Sequence, residues 1–197
     1  ILKTFANRRA HLNSWIYYQT DSQVKPLVIA DNWALSFIDS EPAIEDTFSI
    51  GSPGSWTTLG HENATVNVGT ALYKTTFDLP DGLKESQWLL SLGDVRESAR
   101  VRINGHDVAT LWAVPFEAYV GKYLKEGRNI LEVEVTNLPA NRIADYCRRN
   151  IPWRKFKDAN VVSIAYGPVT FETWSVLPSG LLGPVTLIPM ERQSLSE

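Results

Sequence analysis

The sequence predicts an all-β, antiparallel β-sandwich, and three observations carry that expectation. Short runs of alternating apolar and polar residues recur from Thr70 onward. Gly, Pro and Asn-Gly signals interrupt them every 8 to 12 residues or so, the spacing of a sandwich. Aromatic residues, seven each of Trp, Tyr and Phe, sit among β-branched ones, a mixture that suits a pleated, half-buried surface.

Taken in order, "TALYKTTFDL" puts Tyr73, Thr75, Phe77 and Leu79 on one face before Pro80, Asp81 and Gly82 break the run. "QWLLSLG" does the same with Trp88, Leu90 and Leu92. In "ESARVRINGHDVATLW", Ala99, Val101 and Ile103 alternate with Ser98, Arg100 and Arg102. Asn104-Gly105 then supplies the pair best suited to the positive φ angles of a two-residue hairpin turn. Phe116, Ala118 and Val120 share a face ahead of a Lys-Glu-Gly turn, and Leu131, Val133 and Val135 point inward while Glu132 and Glu134 point out. "VVSIAY", "VTFETWSV" and "PVTLIP" read as further strands, and "ANRIADYCRRNI" as a short helical turn. The sandwich is placed at residues 31–190, entered through "KPLVIADNW". Residues 1–30 form a leading segment, read as the end of a preceding module, and residues 191–197 a tail. The start at Ile1 points to a processed product or a fragment of something larger.

Composition narrows the function. With 197 residues, 44% hydrophobic and 21% charged, the chain fits one sizeable core. A net charge of −3 gives no global positive field for nucleic acid or an anionic membrane. No run approaches the roughly 18 apolar residues of a membrane span, and the first residues do not read as a signal peptide. The single Cys147 excludes an internal disulfide and a multi-cysteine zinc site. His11, His61 and His106 are too scattered for metal-ligand spacing, and neither a serine-nucleophile elbow nor a phosphate-binding glycine loop occurs. Asp94, Glu97 and Asp145 are candidates for a glycosidase carboxylate pair only in the sense that any sandwich brings some acids together. Hydrogen-bonded or solvated roles are the simpler reading.

Two features suggest a sugar-facing or domain-facing surface. "CRRNIPWRKFK" surrounds Trp153 and Phe156 with Arg148, Arg149, Arg154, Lys155 and Lys157, a mixture that suits acidic sugars or a neighbouring domain. Sugar recognition needs flat aromatic platforms and planar polar groups that bond adjacent hydroxyls. Trp112, Tyr146 and Trp153 fall at loop positions, whereas Trp88 and Tyr73 sit inside strand patterns and read as core. For Trp112, packing and ligand contact both remain open.

The order of motifs is itself specific. It runs Leu92 to Val95 (Leu-Gly-Asp-Val), Asn104-Gly105, Leu111-Trp112, Pro115-Phe116, Leu124 to Asn129 (Leu-Lys-Glu-Gly-Arg-Asn) and Val135 to Arg142 (Val-Thr-Asn-Leu-Pro-Ala-Asn-Arg). It closes on "PSGLLGPVTL" at 178–187. This series resembles the sugar-binding jelly-roll domain of glycoside hydrolase family 2 and its relatives, most of all the C-terminal module of bacterial family 106 α-L-rhamnosidases. The resemblance implies a galactose-binding-like sandwich within a longer periplasmic or secreted enzyme that degrades polysaccharide. It implies a non-catalytic accessory module that binds sugar or braces the catalytic domain, because the catalytic carboxylates of such enzymes lie in a separate barrel of about 250 residues; the alternatives are a purely structural interdomain module with no sugar affinity and, behind it, a glycosidase active on its own. Expected partners are a plant-wall or pectic glycan, the parent's catalytic domain, or both, with no nucleic acid and no membrane span. Trp112, Asp145, Arg148, Arg149 and Trp153 are the candidate ligand-binding residues. The resemblance also admits a structural calcium ion held by loop carbonyls and a carboxylate. The basic stretch after Ala144 is longer than in a generic member of that family.

Overall fold

The computed structural model describes residues 17–82, 87–154 and 171–193. Its larger sheet has six antiparallel strands: β3 (Trp33–Glu41), β4 (Thr47–Ile50), β5 (Val68–Leu79), β8 (Ser98–Ile103), β9 (His106–Leu111) and β11 (Gly127–Thr136). They lie in the order β4-β3-β5-β11-β8-β9. The second sheet joins β1 (Tyr18–Thr20), β2 (Leu27–Val28), β6 (Gln87–Ser91), β10 (Glu117–Tyr119) and β13 (Thr186–Arg192). A two-stranded ladder of β7 (Asp94–Arg96) and β12 (Gly180–Gly183) stands beside them. β1 and β2 both pair with β13, so residues ahead of the expected entry at 31 are hydrogen-bonded into the sandwich.

The expected inward faces are the core. Tyr73, Phe77 and Leu79 of β5, Ala99, Val101 and Ile103 of β8, and Leu131, Val133 and Val135 of β11 are all buried in one hydrophobic cluster with Trp88, Leu90, Leu92 and Leu187, and Thr75 is buried on the same face. Trp33, Trp56 and Trp88 are fully enclosed, and each such ring contributes about 2–3 kcal/mol of burial. The alternation leaves the other face of the six-stranded sheet to polar side chains. There Lys74 reaches Glu132 at 2.9 Å, Arg102 bonds Glu134 and lies 3.7 Å from Glu132, and Arg100 grips both carboxylate oxygens of Asp107 at 3.1 Å. The Asp107 contact pushes the Arg100 pKa further up, so this guanidinium stays charged.

Two turns seen in the sequence interlock. Asn104 (φ 51°) and Gly105 (φ 81°) make the β8–β9 turn. The Asn104 amide donates to the Tyr123 carbonyl and to Asn129 Oδ1, both at 2.9 Å. Buried Asn129 in turn accepts from the Lys125 N–H and donates to the carbonyls of Lys125 and Gly127, closing the Lys-Glu-Gly turn. Both turn motifs are thus architectural, one amide completing the other.

The helical turn is α2 (Ala140–Arg148), and a four-residue helix, α1 (Glu62–Thr65), precedes β5. His61 caps α1 through Nδ1, which accepts from the Ala64 N–H at 3.3 Å, while exposed His106 follows the Asn-Gly turn. One expected strand is absent: in "VTFETWSV", Phe171 to Val176 form no ladder. The carbonyls of Glu172 and Trp174 accept from Arg148 instead of from a neighbouring strand. "VVSIAY", together with Lys155, Phe156 and Lys157, lies outside the described residues.

Candidate functional site

The candidate site lies at one end of the six-stranded sheet. β3 ends there at Glu41, β11 at Thr136 and β9 at Leu111, while β5 and β8 begin there at Val68 and Ser98. The chain leaving β11 turns into α2, and residues 171–179 run across that end as a strap before entering β12.

Amide side chains sew the strap down. Asn141 donates to the Leu177 carbonyl and accepts from the Leu177 N–H, both at 2.9 Å, reading that peptide like a strand neighbour. Asn137 accepts from the Gly69 N–H at 3.0 Å and donates to the Asn67 carbonyl and to Ser179 Oγ. Ser55 Oγ accepts from the Ser179 N–H at 3.0 Å. The Asn-x-x-x-Asn spacing of "NLPAN" therefore ties three segments at the sandwich's end. Sequence reading did not single out these amides as functional, although they lie in a motif it recognised.

Four of the five expected ligand residues gather here. Arg148 donates from Nε to the Glu172 carbonyl at 3.0 Å and from Nη2 to the Trp174 carbonyl at 2.6 Å. Asp145 accepts from Arg142 Nη1 at 3.0 Å and from Arg149 Nη1 at 3.3 Å. Arg142 is almost wholly buried, bonds Glu41 as well, and lies 4.4 Å over the Tyr146 ring. Trp153 donates its indole N–H to Cys147 Sγ at 3.2 Å and meets Phe171 edge-on, and Phe171 meets Trp174 in the same manner. Polar groups of Asp145, Arg148 and Trp153 are therefore already engaged within the chain. The Arg149 side chain is 59% exposed.

Trp112 stands apart. It follows Leu111 at the far edge of the sheet, on the same end as Glu41 but four strand spacings from β3, roughly 19 Å. Its exposure is 79%, so it is not core. The loose carboxylate candidates are engaged or exposed: Asp94 pairs with Arg96 at 2.7 Å, and Glu97 faces solvent while its N–H donates to the Thr136 carbonyl.

The calcium expectation finds no cluster of acidic side chains to support it among the described residues. Among the described residues no three His, Cys, Asp or Glu side chains converge, and the carboxylates nearest the strap, Glu41 and Asp145, are held by arginines. Hard cations take six to eight oxygens, supplied by carboxylates, carbonyls and waters together.

The Glycosyl hydrolase 2 galactose-binding domain-like family matches residues 58–165, more than half the chain. The chain belongs to that family. A protein described as a putative beta-glucuronidase from Formosa agariphila is 32% identical, the match covering 87% of this chain and 16% of that protein. Among solved structures, a rhamnosidase from Novosphingobium sp. PP1Y superposes with a TM-score of 0.67 at 24% identity, covering 95% of this chain and 16% of the other. A GH2 β-galacturonidase from Eisenbergiella tayi gives 0.55 at 18%, covering 86% and 25%. These likenesses establish the galactose-binding-like fold. This domain spans about one sixth of the length of its first two relatives, and no described helix is long and apolar enough to cross a membrane.

Proposed function

We propose that this galactose-binding-like domain is a non-catalytic accessory module that braces the catalytic domain of a larger polysaccharide-degrading glycoside hydrolase, docking through the strap and α2. The observation that carries this is the apolar strip on that end: Leu138, Trp174, Val176 and Leu177 are each 42% exposed or more. Contiguous apolar surface of this kind marks a contact surface, and Arg149 gives it a charged border. The internal use of Asp145, Arg148 and Trp153 supports docking over capture of a free ligand, since a rigid strap presents a preformed face. Two of the relatives being about six times longer supports a neighbour in the same chain.

Hydrogen exchange tests this. Amides of residues 171–179 exchange more slowly in the longer parent enzyme than in the 197-residue chain if the strap is covered there; equal exchange in both rules docking out. The enzyme so assembled acts in the periplasm or outside the cell, on plant-wall or pectic glycan. Fractionation of the source cells checks this, and recovery of the parent in the cytosol alone would contradict it.

A further inference from the structure

The two sheets differ in what their outer faces carry. On the six-stranded sheet, apolar and polar side chains alternate along β8 and the Leu131–Val135 run of β11, and ion pairs among Lys74, Glu132, Arg102, Glu134, Arg100 and Asp107 cover the solvent side. The second sheet breaks that alternation. Trp88-Leu89-Leu90 in β6 and Leu187-Ile188-Pro189-Met190 in β13 are unbroken apolar runs, the pattern of strands covered on both faces.

Register shows which side the extra side chains take. Leu27, Leu187, Leu90 and Ala118 form one lateral row that packs into the core. One residue along, Ile188, Leu89 and Tyr119 form a row on the outer face. Val28, Thr186, Ser91 and Glu117 make the next outer row, about 7 Å along the strands. Val28 and Tyr119 are 58% and 48% exposed, while half-buried Leu89 and Ile188 take no part in the core cluster. Tyr18 reaches this face from the opposite edge strand, its ring centroid 5.3 Å from that of Tyr119. The result is an apolar face with tyrosines at its border, the composition of a protein contact.

Both ends of the described chain meet at this sheet. Tyr18 pairs with Arg192, the Gln193 N–H donates to the Tyr17 carbonyl at 2.9 Å, and the Gln193 amide donates to Gln19 Oε1 at 2.8 Å. Two relatives are about six times longer than this chain. A domain joined to either end of the sequence is therefore tethered at this sheet, by four residues after Gln193 or sixteen before Tyr17. So short a tether makes contact with the face beside it an intramolecular event, favoured by a high effective concentration.

We propose that the outer face of the second sheet is covered by a domain of the same polypeptide that adjoins one of these ends, packing an apolar surface onto Val28, Leu89, Tyr119 and Ile188. This contact shares no residue with the strap end, so each stands or falls separately.

Hydroxyl-radical footprinting of the longer parent enzyme and of the 197-residue chain reads side-chain cover directly. Tyr119 and Val28 are expected to react about fivefold or more slowly in the parent, while Ile130, on the ion-paired face, keeps its rate. A photo-crosslinking residue in place of Tyr119 names the cover. The side chain is half exposed, so the fold tolerates the change, and adducts are expected in the adjoining domain of the same polypeptide. Unchanged rates at Tyr119 and Val28 in the parent overturn the proposal, as does a slowing no larger than that at Ile130. Adducts to a second copy, to residues 1–16 or to a domain remote in sequence overturn it too. Amide exchange of residues 171–179 in the same two samples reads the strap end, so failure of one contact is told apart from failure of the other.

Discussion

Tyr73 places its hydroxyl in the middle of the core, donating to the Gly54 carbonyl at 3.1 Å. Burial pushes its pKa well above the ordinary 10.0, offset in part by a backbone hydrogen bond from Leu181. A raised folded-state pKa means the native state keeps a proton that the unfolded chain loses. The stability tied to it is complete below pH 10 and is lost as pH rises above that value. Urea melts from pH 8 to 11 should show Tyr73→Phe flatter in that window, with about 1 kcal/mol less stability at pH 8 for the lost hydrogen bond. Gly180 sits against the same hydroxyl: a Cβ there would lie 2.1 Å from Tyr73 Oη, at φ 111°. Gly180→Ala is expected to cost about 3 kcal/mol or more in the same melts, and a cost near zero would show that the strap relaxes freely. Tyr73 was legible as core because period-2 alternation reports a residue's face. The engagement of Arg148 was not, because its acceptors are the backbone carbonyls of Glu172 and Trp174, 24 and 26 residues away, whereas the two arginines on Asp145 sit three residues before it and four after it. A charged run in sequence looks free until tertiary structure supplies such partners.

The strap is the element where sequence pattern and structure part. "VTFETWSV" alternates like a strand, yet from Phe171 it is held by side chains. Alternation alone does not make a strand here: residues 172–178 stay exposed and are held through their backbone by Arg148 and Asn141. Asn141→Ala removes both bonds to Leu177 and is expected to cost about 1–3 kcal/mol, released mostly as local opening. Exchange at Leu177 should then quicken by tenfold or more while amides of β11 slow-exchange as before; uniform acceleration would mean the strap opens only with the whole fold. The β8–β9 hairpin shows the opposite case. Its Asn-Gly turn was readable locally because the required φ angles are a property of those two residues alone.

Over the whole molecule, the fold was readable because its core faces are written in period 2, whereas β1 and β2 were read as a leading segment because pairs of two or three residues leave little pattern. The surfaces were harder. Five site residues were chosen for chemistry, and four converge while Trp112 lies at the opposite edge of the same end, a separation set by strand order rather than by anything local. Since no three His, Cys, Asp or Glu side chains converge among the described residues, a chelator is expected to leave the melting temperature unchanged to within about 1 °C, and a fall of several degrees would reveal a site. The central claim, an accessory module without chemistry of its own, is tested most directly by hydrolysis. The purified 197-residue chain should release nothing above buffer from aryl rhamnosides, glucuronides and galactosides that the parent enzyme is screened against. Turnover by this chain alone, abolished by Asp145→Asn or Glu97→Gln, would contradict it and make the domain an enzyme.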